Sequence, residues 1–217
     1  MTWPFAEVAG IAALSLRVAF LATAVACALG LPAGVWLGTT AFAGRRTLLL
    51  LLNAALAVPT VVIGLLIYLL LSRHGPLGGL GLLFTWQAIV LAEIVLAFPI
   101  AAALSAASVQ AVDPRVRRTA LTLGAGPVRT AWAVAREARL PLLAAVAIAF
   151  GRVISEVGAA LIVGGNLRGA TRTLTTAVTL ATGQGRFEFA IALGLVLLAL
   201  ALAVNGLIFL LRGRADA

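Results

Sequence analysis

Lysine is missing from this chain of 217 residues; all sixteen basic residues are arginine. A P-loop needs its lysine to hold nucleotide phosphates, so no ATP hydrolysis by that route is expected, and lysine Schiff-base chemistry is excluded with it. One histidine, His74, and one cysteine, Cys27, are too few for a multi-ligand His/Cys metal site or a disulfide framework within the chain. Cys27 lies in an apolar run and reads as a small core residue. Charge is scarce: 11% of residues, against about 25% in a soluble domain. The short alternating strands of a membrane barrel are missing as well. With no internal repeat and no separating linker, residues 1–217 read as a single transmembrane domain.

What fills the chain is apolar sequence, 63% of all residues. A helix needs about 20 such residues to cross the hydrocarbon. Five runs qualify, at about 14–38, 48–71, 86–107, 141–164 and 189–211. The expected fold class is therefore an all-α integral membrane protein with five transmembrane helices. The start, Met1-Thr2-Trp3-Pro4-Phe5, lacks the basic region of a cleaved signal peptide, and the first run is expected to stay as an anchor. Ten arginines flank the spans on one side: Arg45, Arg46, Arg115, Arg117, Arg118, Arg129, Arg136, Arg139, Arg212 and Arg214. Five fall on the other: Arg17, Arg73, Arg168, Arg172 and Arg186. The bias places the N-terminus outside and the C-terminus inside. Trp3 and Trp86 then mark the outer interface and Trp36 the inner one. The net charge of +9 is that of arginines touching lipid headgroups; no aromatic series or motif points to nucleic acid. Pro59, Pro99 and Gly64 are expected to kink or thin their helices, either for function or for plain bundle packing.

Three polar stretches interrupt the lipid-soluble sequence. Ser108 to Leu140 carries six arginines and a Gly124-Ala125-Gly126 break between two helical patterns, a unit suited to grip a soluble partner. In the fourth run Arg152 and Glu156 are four apart and can pair on one helix face, beside Ser155 and Gly158. A lone charge at the bilayer centre costs about 2.5–3.5 kcal/mol, so two retained charges suit either a pathway or gate, or an ion pair that only fixes packing. Glu93 in the third run is a second buried acid with Arg152 as a candidate partner. After the fourth run, Gly164 to Thr176 is dense in hydroxyls, glycines and arginines: Gly165, Asn166, Arg168, Thr171, Thr173, Thr175 and Thr176. Such donors suit an incoming oxyanion, a docking protein, or only water.

The inner stretch resembles the coupling loop of binding-protein-dependent ABC permeases. That pattern is E-A-A, three residues, Gly, nine residues, a branched apolar residue, one residue, then Leu-Pro. Arg118-Thr119-Ala120 stands at the E-A-A positions, keeping only the last alanine, while Gly124 and Val134 match. Arg136-Glu137 replaces Leu-Pro, and a Leu140-Pro141 pair follows four residues later. The wider chain, about residues 12–212, is similar to the tungstate-type permeases. Val58-Pro59-Thr60-Val61-Val62-Ile63-Gly64, Phe150-Gly151-Arg152, Ile154-Ser155-Glu156-Val157-Gly158 and Val163-Gly164-Gly165-Asn166-Leu167-Arg168-Gly169 carry the likeness. Molybdate permeases share Glu156, Gly158, Gly165-Asn166, Thr171 and Thr173.

The resemblance implies a type I ABC importer permease core that forms its pore as a homodimer in a bacterial or archaeal cytoplasmic membrane. A separate cytoplasmic ATPase dimer would hold the ATP and Mg²⁺, with Arg118, Thr119, Ala120, Gly124 and Trp132 as the coupling residues. This chain would hold no cofactor and no metal and would not itself be an enzyme. An external binding protein would deliver the oxyanion, tungstate first, with molybdate or sulfate as alternatives. Two other classes stay open on the residues alone: an ATPase-independent channel or carrier, and a scaffold that only recruits a soluble ATPase.

Overall fold

Packing of small residues organises the bundle. In the computed structural model, which describes residues 5–214, helix α1 (Phe5–Thr39) runs 35 residues. At 1.5 Å per residue it is roughly 50 Å long, well beyond the hydrocarbon thickness, so its ends project. Gly30, Gly34 and Gly38 form one stripe on it and lie against α4 (Trp86–Gln110). A Cβ at Gly30 would sit 2.8 Å from Ala101 Cβ; one at Gly34 would run into the Ala102 carbonyl, and one at Gly38 into Val109. The partners advance together, 30 with 101, 34 with 105, 38 with 109, so α1 and α4 are parallel. Lipid offers no hydrophobic drive between helices, and small residues at this spacing let backbones approach closely instead. Ser105 Oγ adds an interhelical bond by donating to Leu31 O at 2.9 Å.

Two expected spans are broken. The second becomes α2 (Arg45–Ala55) and α3 (Thr60–Leu71), bent by 99°. The kink expected at Pro59 is there and is close to a right angle. Pro59 has no N–H to continue α2, and its carbonyl starts α3 by accepting from Val62 N at 2.9 Å. No residue of α2 is buried. The fourth span becomes α7 (Arg139–Ile154) and α8 (Gly158–Gly164), bent by 54°. The two broken elements meet: a Cβ at Gly64 of α3 would lie 2.8 Å from Ala159 Cα of α8. Pro99, by contrast, lies inside an unbroken α4. Among the described residues three helices are long and apolar enough to span alone, and up to five spans result if each bent pair counts once.

Between Ser108 and Leu140 the two expected short helices are present as α5 (Pro114–Thr122) and α6 (Pro127–Glu137). The stretch after the fourth span, read from sequence as a loop, holds a helix of its own, α9 (Leu174–Gly183). It packs beside α10 (Phe187–Arg214). Its alternation of leucine and alanine with threonine hides the helical period. At the side predicted outside, the Arg17 guanidinium lies 4.0 Å from the centre of the Trp86 ring. At the other side Trp36 stacks on Phe42 at 4.8 Å. Trp3 and the side chains of Arg212 and Arg214 lie outside the described residues. Among the described residues there is no strand.

Candidate functional site

Glu156 is the hub of the break between α7 and α8. α7 ends at Ile154, so Glu156 does not share a continuous helix face with Arg152 as the spacing suggested. The pair forms nonetheless: Arg152 Nη1 donates to Glu156 Oε2 at 2.7 Å. Oε1 accepts from Ala159 N at 3.0 Å, and the Glu156 carbonyl accepts from Thr175 Oγ1 at 2.7 Å. The two partners differ in setting. The Glu156 side chain is 2% exposed and that of Arg152 40%, so the carboxylate is the fixed member and the guanidinium the accessible one. Ser155 is exposed and donates back to Gly151 O at 2.8 Å. Gly158 is needed for close approach: a Cβ there would lie 2.9 Å from Val61 and 3.1 Å from Thr60 Oγ1. Thus the elbow at Pro59 presses on the break at Glu156, which separate reading of the two runs did not foresee.

Glu93 does not pair with Arg152. It is 3% exposed on α4, and its Oε2 has no hydrogen-bond partner among the described residues. Thr23 Oγ1, on α1, is the other buried atom in that condition. The parallel register of α1 on α4 sets residue 22 level with 93, which puts the two orphans at one depth.

On the side predicted outside, the threonines face inward. Thr171 Oγ1 donates to the Gly164 carbonyl and accepts from Leu167 N at 2.9 Å. Thr173 and Thr176 cap α9 reciprocally, which satisfies its orphan N–H groups. Thr175 reaches Glu156. All four are buried, so their hydroxyls are engaged by the chain's own backbone. Gly165 adopts φ +68° beneath Phe84, where a side chain would be strained. Asn166, at φ +52°, donates Nδ2 to Thr176 O at 3.3 Å and accepts from Arg172 Nε at 3.3 Å. Arg168 points outward, its side chain 73% exposed. Its Nε and Nη2 donate to Glu7 at 2.9 and 2.6 Å, a bidentate fork that holds the Glu7 carboxyl below the usual carboxylate range. Arg172 stands 3.7 Å from the same carboxylate. Glu7 was not singled out from sequence: 161 positions separate it from Arg168, and no local pattern links them.

At the opposite end the Ser108–Leu140 stretch projects. Asp113 caps α5 by accepting from Arg115 N at 2.8 Å, with Pro114 next, the arrangement expected of a helix start. Gly124 ends α5 at φ +79°, its N–H donated to Leu121 O. Arg118 and Thr119 are exposed and Ala120 partly so. Leu123 is 81% exposed, Val128 82% and Trp132 72%. The base of the unit is firm: Val134 and Ala138 are buried against Val109 of α4, with Val35 and Val116 around them. Trp132 looks back toward the end of α1, lining a cleft with Trp36, rather than standing beside Gly124.

Residues 30–216 match the family described as binding-protein-dependent transport system inner membrane component. The chain belongs to that family. A probable anion ABC transporter permease protein of Haloferax volcanii is 42% identical over 175 residues, covering 78% of this chain and 75% of that one. The tungstate uptake system permease protein TupB of Peptoclostridium acidaminophilum is 38% identical over 199 residues, covering 92% and 87%. The molybdenum transport system permease protein ModB of Escherichia coli (strain K12) is 31% identical over 173 residues, covering 76% of each. Among solved structures, an inward-facing form of the MetNI methionine ABC transporter superposes with a TM-score of 0.75 at 18% identity, covering 99% of this chain and 97% of that one. That likeness shows the fold, a type I ABC importer permease. The permease is thus a multi-pass protein of the cytoplasmic (inner) membrane.

Proposed function

We propose that this permease forms, as a homodimer, the pore of an ATP-driven importer for a tetrahedral oxyanion, tungstate first. The observation that carries the reading is the α5–Gly124–α6 unit. Its tip exposes Leu121 and Leu123, while its base is packed onto the ends of α1 and α4. Apolar side chains held out on a rigid base fit a partner's groove. That partner is a cytoplasmic ABC ATPase dimer holding ATP and Mg²⁺, with Arg118, Thr119, Ala120 and Gly124 at the contact and Trp132 behind it. Nucleotide binding draws the two units together, and the spans follow as levers.

The arginine bias supports five spans, with the N-terminus outside and the coupling unit inside. Arg168, with Gly165 and Asn166 shaping its loop, faces the external binding protein. Thr171, Thr173, Thr175 and Thr176 set that loop's shape. At the break, Arg152 and Ser155 face the pathway, while Glu156 anchors Arg152, Gly158 allows the close contact with Thr60, and Glu93 lies behind them. Tungstate rests on the relative of that name, which aligns over 92% of this chain. Molybdate is the second reading, carried by the ModB relative.

The test is ATPase activity of the reconstituted permease–ATPase complex with binding protein loaded in turn with tungstate, molybdate or sulfate. Strongest stimulation with tungstate is expected. Equal stimulation by molybdate makes tungstate one of two substrates, and stimulation by sulfate alone would replace it.

A further inference from the structure

Trp132 stands between two clefts where α1 meets α6. On one side is an apolar cleft of about 590 Å³, walled by Leu31, Val35 and Trp36 of α1 and Val128 and Ala131 of α6. On the other is a polar cleft of about 470 Å³ that holds Arg136, Glu137 and Arg139. The α1 wall belongs to the apolar run read as the first span, so the first cleft lies at the end of that span. Trp36 is 51% exposed and stacks on Phe42, a pairing suited to the boundary between hydrocarbon and headgroups. Trp132, 72% exposed, is the wall common to both clefts. Apolar space and charged space therefore lie side by side, across one indole, at the end of the first span.

We propose that the two clefts together bind one phospholipid with an acidic headgroup, its acyl chain between α1 and α6 and its phosphate against Arg136. Arg136 lines the polar cleft, and its guanidinium complements a phosphodiester. Water is a poor occupant of the apolar cleft, because its lining offers few hydrogen-bond partners. The volume lies within the range of small-molecule pockets, about 300–1,000 Å³. A lipid seated there would wedge between the first span and the coupling unit and make the lever's swing depend on the surrounding membrane. This rests on the permease reading for the leaflet, which that reading makes the inner one, and for the lever.

Native mass spectrometry of the full-length permease–ATPase complex tests it. The wild-type complex is expected to retain phosphatidylglycerol on the permease in preference to phosphatidylcholine. Ala135→Trp, which fills the apolar cleft, and Val128→Asp, which charges it without filling it, should each lower retention several-fold. Arg136→Gln should keep a bound lipid and lose the preference for the anionic one. In a Trp3→Phe, Trp36→Phe, Trp86→Phe background, lipids brominated on the acyl chain should quench Trp132 fluorescence in the assembled complex. Unchanged retention in both cleft variants would overturn the proposal. So would Trp132 left unquenched, which would give the cleft to the ATPase. These readouts are lipid binding, so their failure is separate from a failure of oxyanion-dependent ATPase stimulation.

Discussion

The two polar stretches of this permease, Ser108–Leu140 and Gly164–Thr176, are built in opposite senses. The first turns its side chains out. Its helices leave Leu123, Val128 and Trp132 more than two-thirds exposed, and Gly124 bends the backbone without packing against anything. The second turns its side chains in, with four buried threonines bonded to carbonyls, amides and one another. Polar residues beside a membrane thus serve two ends. Outward they offer a surface to a partner; inward they close the backbone groups that an irregular chain leaves open.

The largest effect that would break this contrast is at Gly124. Gly124→Asp puts a branched charge at φ +79° on the exposed tip and should abolish co-purification of the ATPase. The permease should lose only the roughly 1–2 kcal/mol that a left-handed residue costs, because nothing lies within 4 Å of a Cβ at the position. A variant that unfolds the bundle would show the tip to be structural like the Gly164–Thr176 stretch. Next is Thr171→Val, which removes the partner of Leu167 N and of the Gly164 carbonyl in a fully buried place. It should destabilise by about 1–3 kcal/mol in a thermal melt and leave ATPase binding intact.

The break at Glu156 joins the two regions and should respond between them. Arg152→Gln and Glu156→Gln should each lower uptake, Glu156→Gln also lowering stability because it weakens the contacts with both Arg152 and Ala159 N. Exchanging the two charges should restore more uptake than either single change does, if the pair acts as a pair. No rescue would leave Arg152 acting alone on the pathway side. The smallest effect is at the exposed clasp. Glu7→Gln should shift the melt only slightly, since such pairs face water. The Glu7 carboxyl is held down by the Arg168 hydrogen bond, so the clasp's contribution is present above the ordinary carboxylate pKa. It fades as pH falls through the lowered folded value. A pH titration of the melt should show that loss in wild type only, on the acid side.

Legibility in the sequence followed the range of each cause. The Gly124 turn and the Pro59 kink are written in neighbouring residues, and both stand where the sequence placed them. The sharpness of the Pro59 elbow is not, because α8 sets it by packing Ala159 against Gly64. The Gly30, Gly34, Gly38 stripe is visible at four-residue spacing, yet its meaning depends on the small residues of α4, some seventy positions away. The α9 helix was hidden because Thr173, Thr175 and Thr176 read as a polar loop until the reciprocal cap and the bond to Glu156 are seen. Pairing of Arg152 with Glu156 was legible, but not the helix break on which it depends, nor that Glu93 would be left without a partner.

ATP-dependent tungstate uptake into lipid vesicles tests the central claim most directly, with permease, ATPase and binding protein supplied together and each left out in turn. The account predicts uptake only with all three present, and none with Gly124→Asp. Tungstate flux that persists without the ATPase would contradict it and make this chain a channel or carrier in its own right.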